Sequence, residues 1–238
     1  MVMAQTGYHI PCMLEEVLEY LNPAPGKTMV DCTLGTAGHS LEMLKRILPG
    51  GKLIGIDRDQ ESLEIARERL IDYSGNFELA YGNFSDVDNI LKNLNVNGID
   101  GILFDLGIST FQLQNSQRGF SFQQEGPLDM RLDRNSYISA YDLVNNLNEQ
   151  EISNILWTFG EERWHNRIAR SLIREREKHP ISTTAELAEI VCKAIPGRFK
   201  QYRYKIHPAT RTFQAVRIAV NRDLESLESV ISKVIPLL

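Results

Sequence analysis

Asp31-Cys-Thr-Leu-Gly-Thr-Ala-Gly-His-Ser40, followed by Ile54-Gly-Ile-Asp57, is the stretch on which the fold turns. The first segment reads as the end of an apolar strand that passes through a glycine-bearing turn into a helix. The second reads as another apolar strand closing on an acid. A strand, a tight turn and a helix start bring backbone N–H groups and bare backbone up to a ligand. An acid at the tip of the next strand can accept hydrogen bonds from both hydroxyls of a ribose. Together they predict a site for a nucleoside-containing cofactor.

Working outward, the alternation of elements continues on both sides. Met13, Leu14, Val17, Leu18 and Leu21 have helical spacing within Pro11–Leu21, and Asn22-Pro-Ala-Pro-Gly26 stops that helix. Strands are expected at Thr28–Cys32, Lys52–Asp57, Asn76–Ala80 and Ile99–Leu106, with helices at Gly38–Leu48, Asp59–Leu70 and Phe84–Leu94. Strands alternating with helices make βαβ units, hence a parallel, doubly wound α/β sheet covered on both faces. Ligands of such sheets lie at the carboxyl ends of the strands, where Asp31, Asp57 and Asp105 all fall.

After about residue 111 the alternation stops. Glu149–Phe159, Glu162–Glu177 and Thr183–Ala194 are helix candidates, the last with Thr183 or Ser182 as cap and Glu186 as its partner. Helix returns from Thr210 and runs to Val234. The expected organisation is therefore a cofactor-binding domain of residues 1–111 and 211–238, interrupted by a helical insertion of 112–210. Only four strands precede Ile235-Pro-Leu-Leu238, and the apolar Ile102-Leu-Phe104 would be left on a sheet edge. Further C-terminal strands are expected to follow, so the chain reads as truncated, with a short natural sheet as the alternative.

Composition is that of a globular protein: 238 residues, net charge −5, and three widely spaced cysteines, Cys12, Cys32 and Cys192. Their number and spacing suggest neither a disulfide framework nor a metal cluster, and a reducing cytoplasm is the expected setting. No apolar run approaches the roughly 20 residues that span a bilayer. The charge is unevenly spread. Residues 1–111 carry net −8 and residues 112–217 net +4, and no acid occurs between Glu189 and Asp223. Within that gap Arg198, Lys200, Arg203, Lys205 and Arg211 alternate with Phe199, Tyr202, Tyr204 and Phe213. Cations neutralise phosphates and aromatic rings stack on bases, so these five basic residues are candidates for RNA contact.

The turn Gly35-Thr-Ala-Gly38 lacks the three glycines of a dinucleotide fingerprint, and no phosphate-binding P-loop is present. A looser turn with an acid on the second strand suits S-adenosylmethionine, which has a ribose and no pyrophosphate. No His, Cys and Asp spacing suggests a metal. Trp157 and Trp164 are expected in the core of the insertion, and His165 and His179 in solvent.

At this point the chain resembles the cytosine-N4 methyltransferases of small-subunit (16S) ribosomal RNA, the RsmH/MraW family. The matching pieces are His9-Ile-Pro11, the Asp31–Ser40 turn, Gly55-Ile-Asp-Arg58, Gly82-Asn-Phe-Ser85 and Asp105-Leu-Gly-Ile-Ser109. Arg118-Gly-Phe-Ser-Phe122, Gly126-Pro-Leu-Asp-Met-Arg131, Phe159-Gly-Glu-Glu162 and His207-Pro-Ala-Thr-Arg-x-Phe-Gln-Ala-Val-Arg217 follow in order. The resemblance implies a Rossmann-like methyltransferase domain with a helical insertion, acting on a decoding-centre cytidine. It implies cofactor contacts at Ala37, Gly38, His39, Asp57, Phe84, Asp105 and Gln112. The family usually has two glycines where this chain has Ala37-Gly38. It also continues beyond this chain, which leaves open whether the chain is active by itself.

Transfer to a cytosine amine needs alignment of a poor nucleophile with a strong electrophile. Asp105 is the first candidate to polarise the amine. Asp129 is the second, with a pairing to Arg131 or Arg118 as its alternative. His39 is expected at the helix start beside the cofactor. Small-subunit ribosomal RNA or the assembled subunit is the expected partner, no membrane is, and a homodimer is compatible with the sequence. The rival readings are a small-molecule methyltransferase and a non-catalytic RNA-binding or assembly fragment.

Overall fold

The first four strands carry alternating apolar side chains that point to opposite faces of one sheet. In the computed structural model, which describes residues 11–196 and 206–238, these strands are β1 (Thr28–Asp31), β2 (Lys52–Asp57), β3 (Phe77–Tyr81) and β4 (Gly101–Leu103). They form a parallel sheet in the order β3-β2-β1-β4, with Asp31 opposite Gly55 on one side and Leu103 on the other. Met29, Leu53 and Leu103 face one core, built with α1 (Leu14–Leu21), α2 (Gly38–Ile47) and α3 (Gln60–Arg69). Val30, Ile54 and Ile56 face the other, with α4 (Val87–Asn93) and the C-terminal residues Val230 and Val234. Burial on both faces is why β1, β2 and β4 read as near-continuous apolar runs, while the edge strand β3 is only half-buried. Gly55 is required by the close packing: a Cβ there would lie 2.8 Å from side-chain atoms of both Leu34 and Leu79.

The chain winds outward from β1 to β2 to β3 and then returns to the far side of β1. This reversal creates the switch point between β1 and β4, at which open α/β sheets bind ligands. The fourth strand is shorter than expected. Asp105 lies two residues past its end, because its N–H is taken by the Thr33 hydroxyl at 2.7 Å instead of by a ladder carbonyl.

The described residues fall into two units, Met1–Thr110 with Leu224–Leu238, and Phe111–Asp223. The second is helical: α5 (Thr110–Gln114), α6 (Ala140–Asn146), α7 (Glu149–Gly160), α8 (His165–Arg176), α9 (Thr184–Ala194) and α10 (Thr210–Asn221). Three of its helices begin with capping boxes: Ser139 with Asp142, Asn148 with Glu151, and Thr183 with Glu186 as the sequence suggested.

The expected boundary at residue 211 is corrected. Helix α10 packs on α7 closely enough that a Cβ on Gly160 would lie 2.6 Å from the Arg211 carbonyl oxygen, so 211–223 belongs with the insertion. Arg222, in the left-handed conformation (φ +54°), separates α10 from α11 (Asp223–Val234), where one continuous helix was expected. Trp157 is 59% exposed, which overturns its assignment to the core. Among the described residues, no helix is long and apolar enough to cross a membrane.

Candidate cofactor site

The turn after β1 is held by the acids at the strand tips. Gly35 takes φ +51°, and its N–H donates to Asp57 Oδ2 at 2.7 Å. Asp57 Oδ1 accepts the Asp59 N–H at 2.9 Å. Each carboxylate oxygen keeps a further lone pair, so the pair can still accept two ligand hydroxyls. Burial pushes the Asp57 carboxyl up to about 6, against the lowering effect of these two backbone donors.

Asp31 is 1% exposed and has an inward role. It accepts the Ser40 hydroxyl at 2.7 Å and the Thr33 N–H at 3.1 Å, which ties the strand end to the first turn of α2. Burial raises its pKa, and the bonds from Ser40 and Thr33 oppose that rise.

Ala37 sits at φ +60°, ψ +37°, the left-handed region in which glycine is strain-free. Gly38 follows as the first helical residue, and a Cβ on it would meet the Pro11 ring at 2.7 Å. His39 is buried: its Nε2 donates to the Cys12 carbonyl at 2.9 Å, and its Nδ1 lies 3.7 Å from Asp105 Oδ2. It thus joins the segment before α1 to the tip of β4, a more specific position than the helix start alone. The Asp105 carboxylate remains 53% exposed and free to meet a ligand. Phe84 is buried edge-on against Phe104, with ring centroids 5.6 Å apart.

Six of the seven cofactor candidates, Ala37, Gly38, His39, Asp57, Phe84 and Asp105, therefore lie in the sheet unit. They occupy the strand ends, turns and helix starts at the carboxyl edge of the sheet. Gln112, a buried residue of α5, belongs to the helical unit.

Two residues of this site went unnoticed in the sequence. Thr33 accepts the Asp105 N–H while its hydroxyl lies 3.5 Å from Asp31 Oδ1, and Arg69 donates to the Thr36 carbonyl at 2.8 Å. The Asp-x-Thr spacing was the available signal for the first. Nothing local marks the second, which reaches back from α3.

In the helical unit the two glycine-bearing motifs pack on one another. A Cβ on Gly126 would lie 1.9 Å from the Ser116 carbonyl oxygen, and one on Gly119 (φ +71°) 2.2 Å from that of Pro127. Buried Arg118 donates to the carbonyls of Arg131 and Leu132 at 3.1 and 3.0 Å. Asn221 donates to the Met130 carbonyl at 2.7 Å and accepts the Leu132 N–H at 2.8 Å.

Asp129, the second catalytic candidate, is committed within this knot. Arg131 grips it through Nε and Nη2, each at 2.8 Å. Burial opposes ionisation there, but the Arg131 bonds hold the carboxyl below the usual range. This is the pairing alternative.

His165 is not merely solvated: its Nδ1 lies 2.7 Å from the Ser153 hydroxyl. Of the RNA candidates, Arg198, Lys200, Arg203 and Lys205 lie outside the described residues. Arg211 is exposed on α10 and donates to the Glu161 carbonyl at 2.8 Å. Among the described residues no group of three or more His, Cys, Asp or Glu is placed to hold a metal ion.

Comparison with known proteins gives a consistent result. Residues 6–238 match the model of the MraW methylase family. A Brevibacillus brevis protein named ribosomal RNA small subunit methyltransferase H is 44% identical over 97% of this chain and 73% of its own. Proteins of the same name from Pelobacter propionicus and Clostridium botulinum are 49% and 46% identical, over 92% and 94% of this chain and 70% and 71% of theirs. Among solved structures, a putative rRNA-methylase from Clostridium thermocellum aligns over 43% of this chain and 55% of its own, at TM-score 0.37 and 18% identity.

Proposed function

The chain belongs to the MraW methylase family, and from that membership we propose that it is an S-adenosylmethionine-dependent methyltransferase of small-subunit ribosomal RNA. The target proposed is the exocyclic N4 amine of a decoding-centre cytidine. The observation that carries the reading is identity of 44 to 49% to methyltransferases of that name across nearly the whole chain.

The residues present fit this cofactor. Asp57 offers two carboxylate oxygens to a ribose diol, at the end of the strand beside an open glycine turn. Ala37 and Gly38 carry the chain from the turn into α2 beside it, and Phe84 supplies an apolar side chain after β3. When bound, S-adenosylmethionine supplies an electrophilic methyl group.

This chain's own residues then align and desolvate the acceptor. Asp105, exposed at the switch point, accepts a hydrogen bond from the cytosine amine and orients its lone pair. His39 Nδ1 lies 3.7 Å from that carboxylate. The proton leaves the amine after methyl transfer, when the nitrogen has become acidic. Arg211 and the basic residues Arg198, Lys200, Arg203 and Lys205 hold the RNA backbone.

Mass mapping of ribosomal RNA after incubation of the chain with S-adenosylmethionine and small subunits tests the reading. A methyl group on a cytidine N4 is expected. Asp105→Ala should slow its appearance at least about tenfold, through loss of a charged hydrogen bond. Methylation of a small molecule in place of RNA would refute the substrate.

A further inference from the structure

Outside the strand-tip site, α8 carries a row of basic residues. Arg167, Arg170 and Arg174 recur at intervals of three and four residues, with Arg163 just before the helix, and all are exposed. This is the spacing of one helix face. Ile168, Ala169 and Leu172 bury the opposite face. From Arg163 to Lys178 the chain carries six basic and two acidic residues.

The ion pairs of Arg170 and Arg174 are exposed surface pairs. Arg170 lies 3.4 Å from Glu149 and Arg174 lies 3.3 Å from Glu175, with the arginine side chains 73% and 68% exposed. Surface pairs of this kind are worth about 0–1 kcal/mol and exchange readily for another anion. From Arg167 to Arg174 the helix rises about 10 Å, the axial span of about three phosphates along one duplex strand.

The stripe also has a direction. Arg167 Nε donates to the carbonyl of Ala194, the last residue of α9, at 3.1 Å. That residue lies inside the acid-free stretch between Glu189 and Asp223, which carries the other RNA candidates. The stripe thus touches the C-terminal end of α9.

We propose that the arginine face of α8 is a second RNA-backbone track. It rests on the reading of the chain as an RNA methyltransferase, and it adds a surface that positions the substrate without touching the target base.

The test is binding of small-subunit ribosomal RNA across a salt series. Wild type is compared with a triple Arg167→Gln, Arg170→Gln, Arg174→Gln variant and with the corresponding triple lysine variant. Both substitutions keep helix-forming residues on an exposed face. The glutamine variant should bind at least tenfold more weakly. Its plot of log affinity against log salt should be shallower by about 2–3, the loss of three contacts at about 0.7 each on single-stranded and about 0.9 each on duplex segments. The lysine variant should keep the wild-type slope, and S-adenosylmethionine binding should be unchanged in both.

Wild-type affinity and slope in the glutamine variant would overturn the proposal while leaving the methyltransferase reading in place. The same result joined to loss of binding to assembled subunits would also overturn it, by assigning the stripe to a protein. Failure of the wild type to bind either the RNA or assembled small subunits at any salt would remove the methyltransferase reading and the track together.

Discussion

Cofactor binding should titrate with Asp57. Burial places its carboxyl near 6, and a ribose diol needs the ionised form as acceptor. If affinity follows the ionised fraction, it falls about tenfold between pH 7 and pH 5, or about 1.4 kcal/mol. Asp57→Asn should remove this dependence and weaken binding at pH 7 by about 1.5–3 kcal/mol, the range for a charged hydrogen bond. Calorimetric titration of S-adenosylmethionine at the two pH values, at fixed ionic strength, measures both. Stability should respond with the opposite sign. The folded pKa lies above the reference value of 3.8, so this group's contribution is greatest below about pH 4 and is lost as pH rises through about 6. Between pH 5 and 7 the cofactor-free wild type should lose about 1 kcal/mol relative to Asp57→Asn. A wild-type affinity that is flat from pH 7 to 5, or a wild-type titration retained in Asp57→Asn, would refute the assignment.

Other perturbations follow from the packing. Gly126→Ala would put a methyl 1.9 Å from the Ser116 carbonyl, and thermal melting should show a loss of about 3 kcal/mol or more, or no folded protein. Ser40→Ala strips a 2.7 Å donor from buried Asp31 and should cost about 1–3 kcal/mol in urea denaturation. Ala37→Gly should be nearly neutral. Relief of about 1–2 kcal/mol of left-handed strain is offset by about 0.8 for the buried methyl and about 0.5–1 for glycine's added freedom. A change above about 1.5 kcal/mol in either direction would show that this balance is wrong.

The sheet was legible because β1, β2 and β4 are short apolar runs buried on both faces, while the half-buried β3 was marked by alternation. Asp57 was legible as a strand tip for the same reason. Thr33 was not given its role, since a hydroxyl linking two non-adjacent segments leaves no periodic trace. The left-handed backbone of Ala37 was visible only through the resemblance, because alanine gives no signal for φ above zero. Residues 211–223 were misplaced because amphipathic spacing shows that a helix has a buried face, not which partner covers it. Gly160, which lets α7 and α10 approach, was the overlooked clue. Trp157 failed for a related reason: a large apolar residue is not obliged to be inside.

The Thr33 hydroxyl has an evolutionary consequence. Asp105 lies beyond its own strand, and its backbone is pinned to the turn that follows β1. The acid proposed to meet the acceptor therefore takes its coordinates from the part of the chain that recognises the cofactor, not from the segment that follows it. Substrate preference can then be rewritten by changes downstream of Leu106, while the distance between the two reacting partners is inherited unchanged.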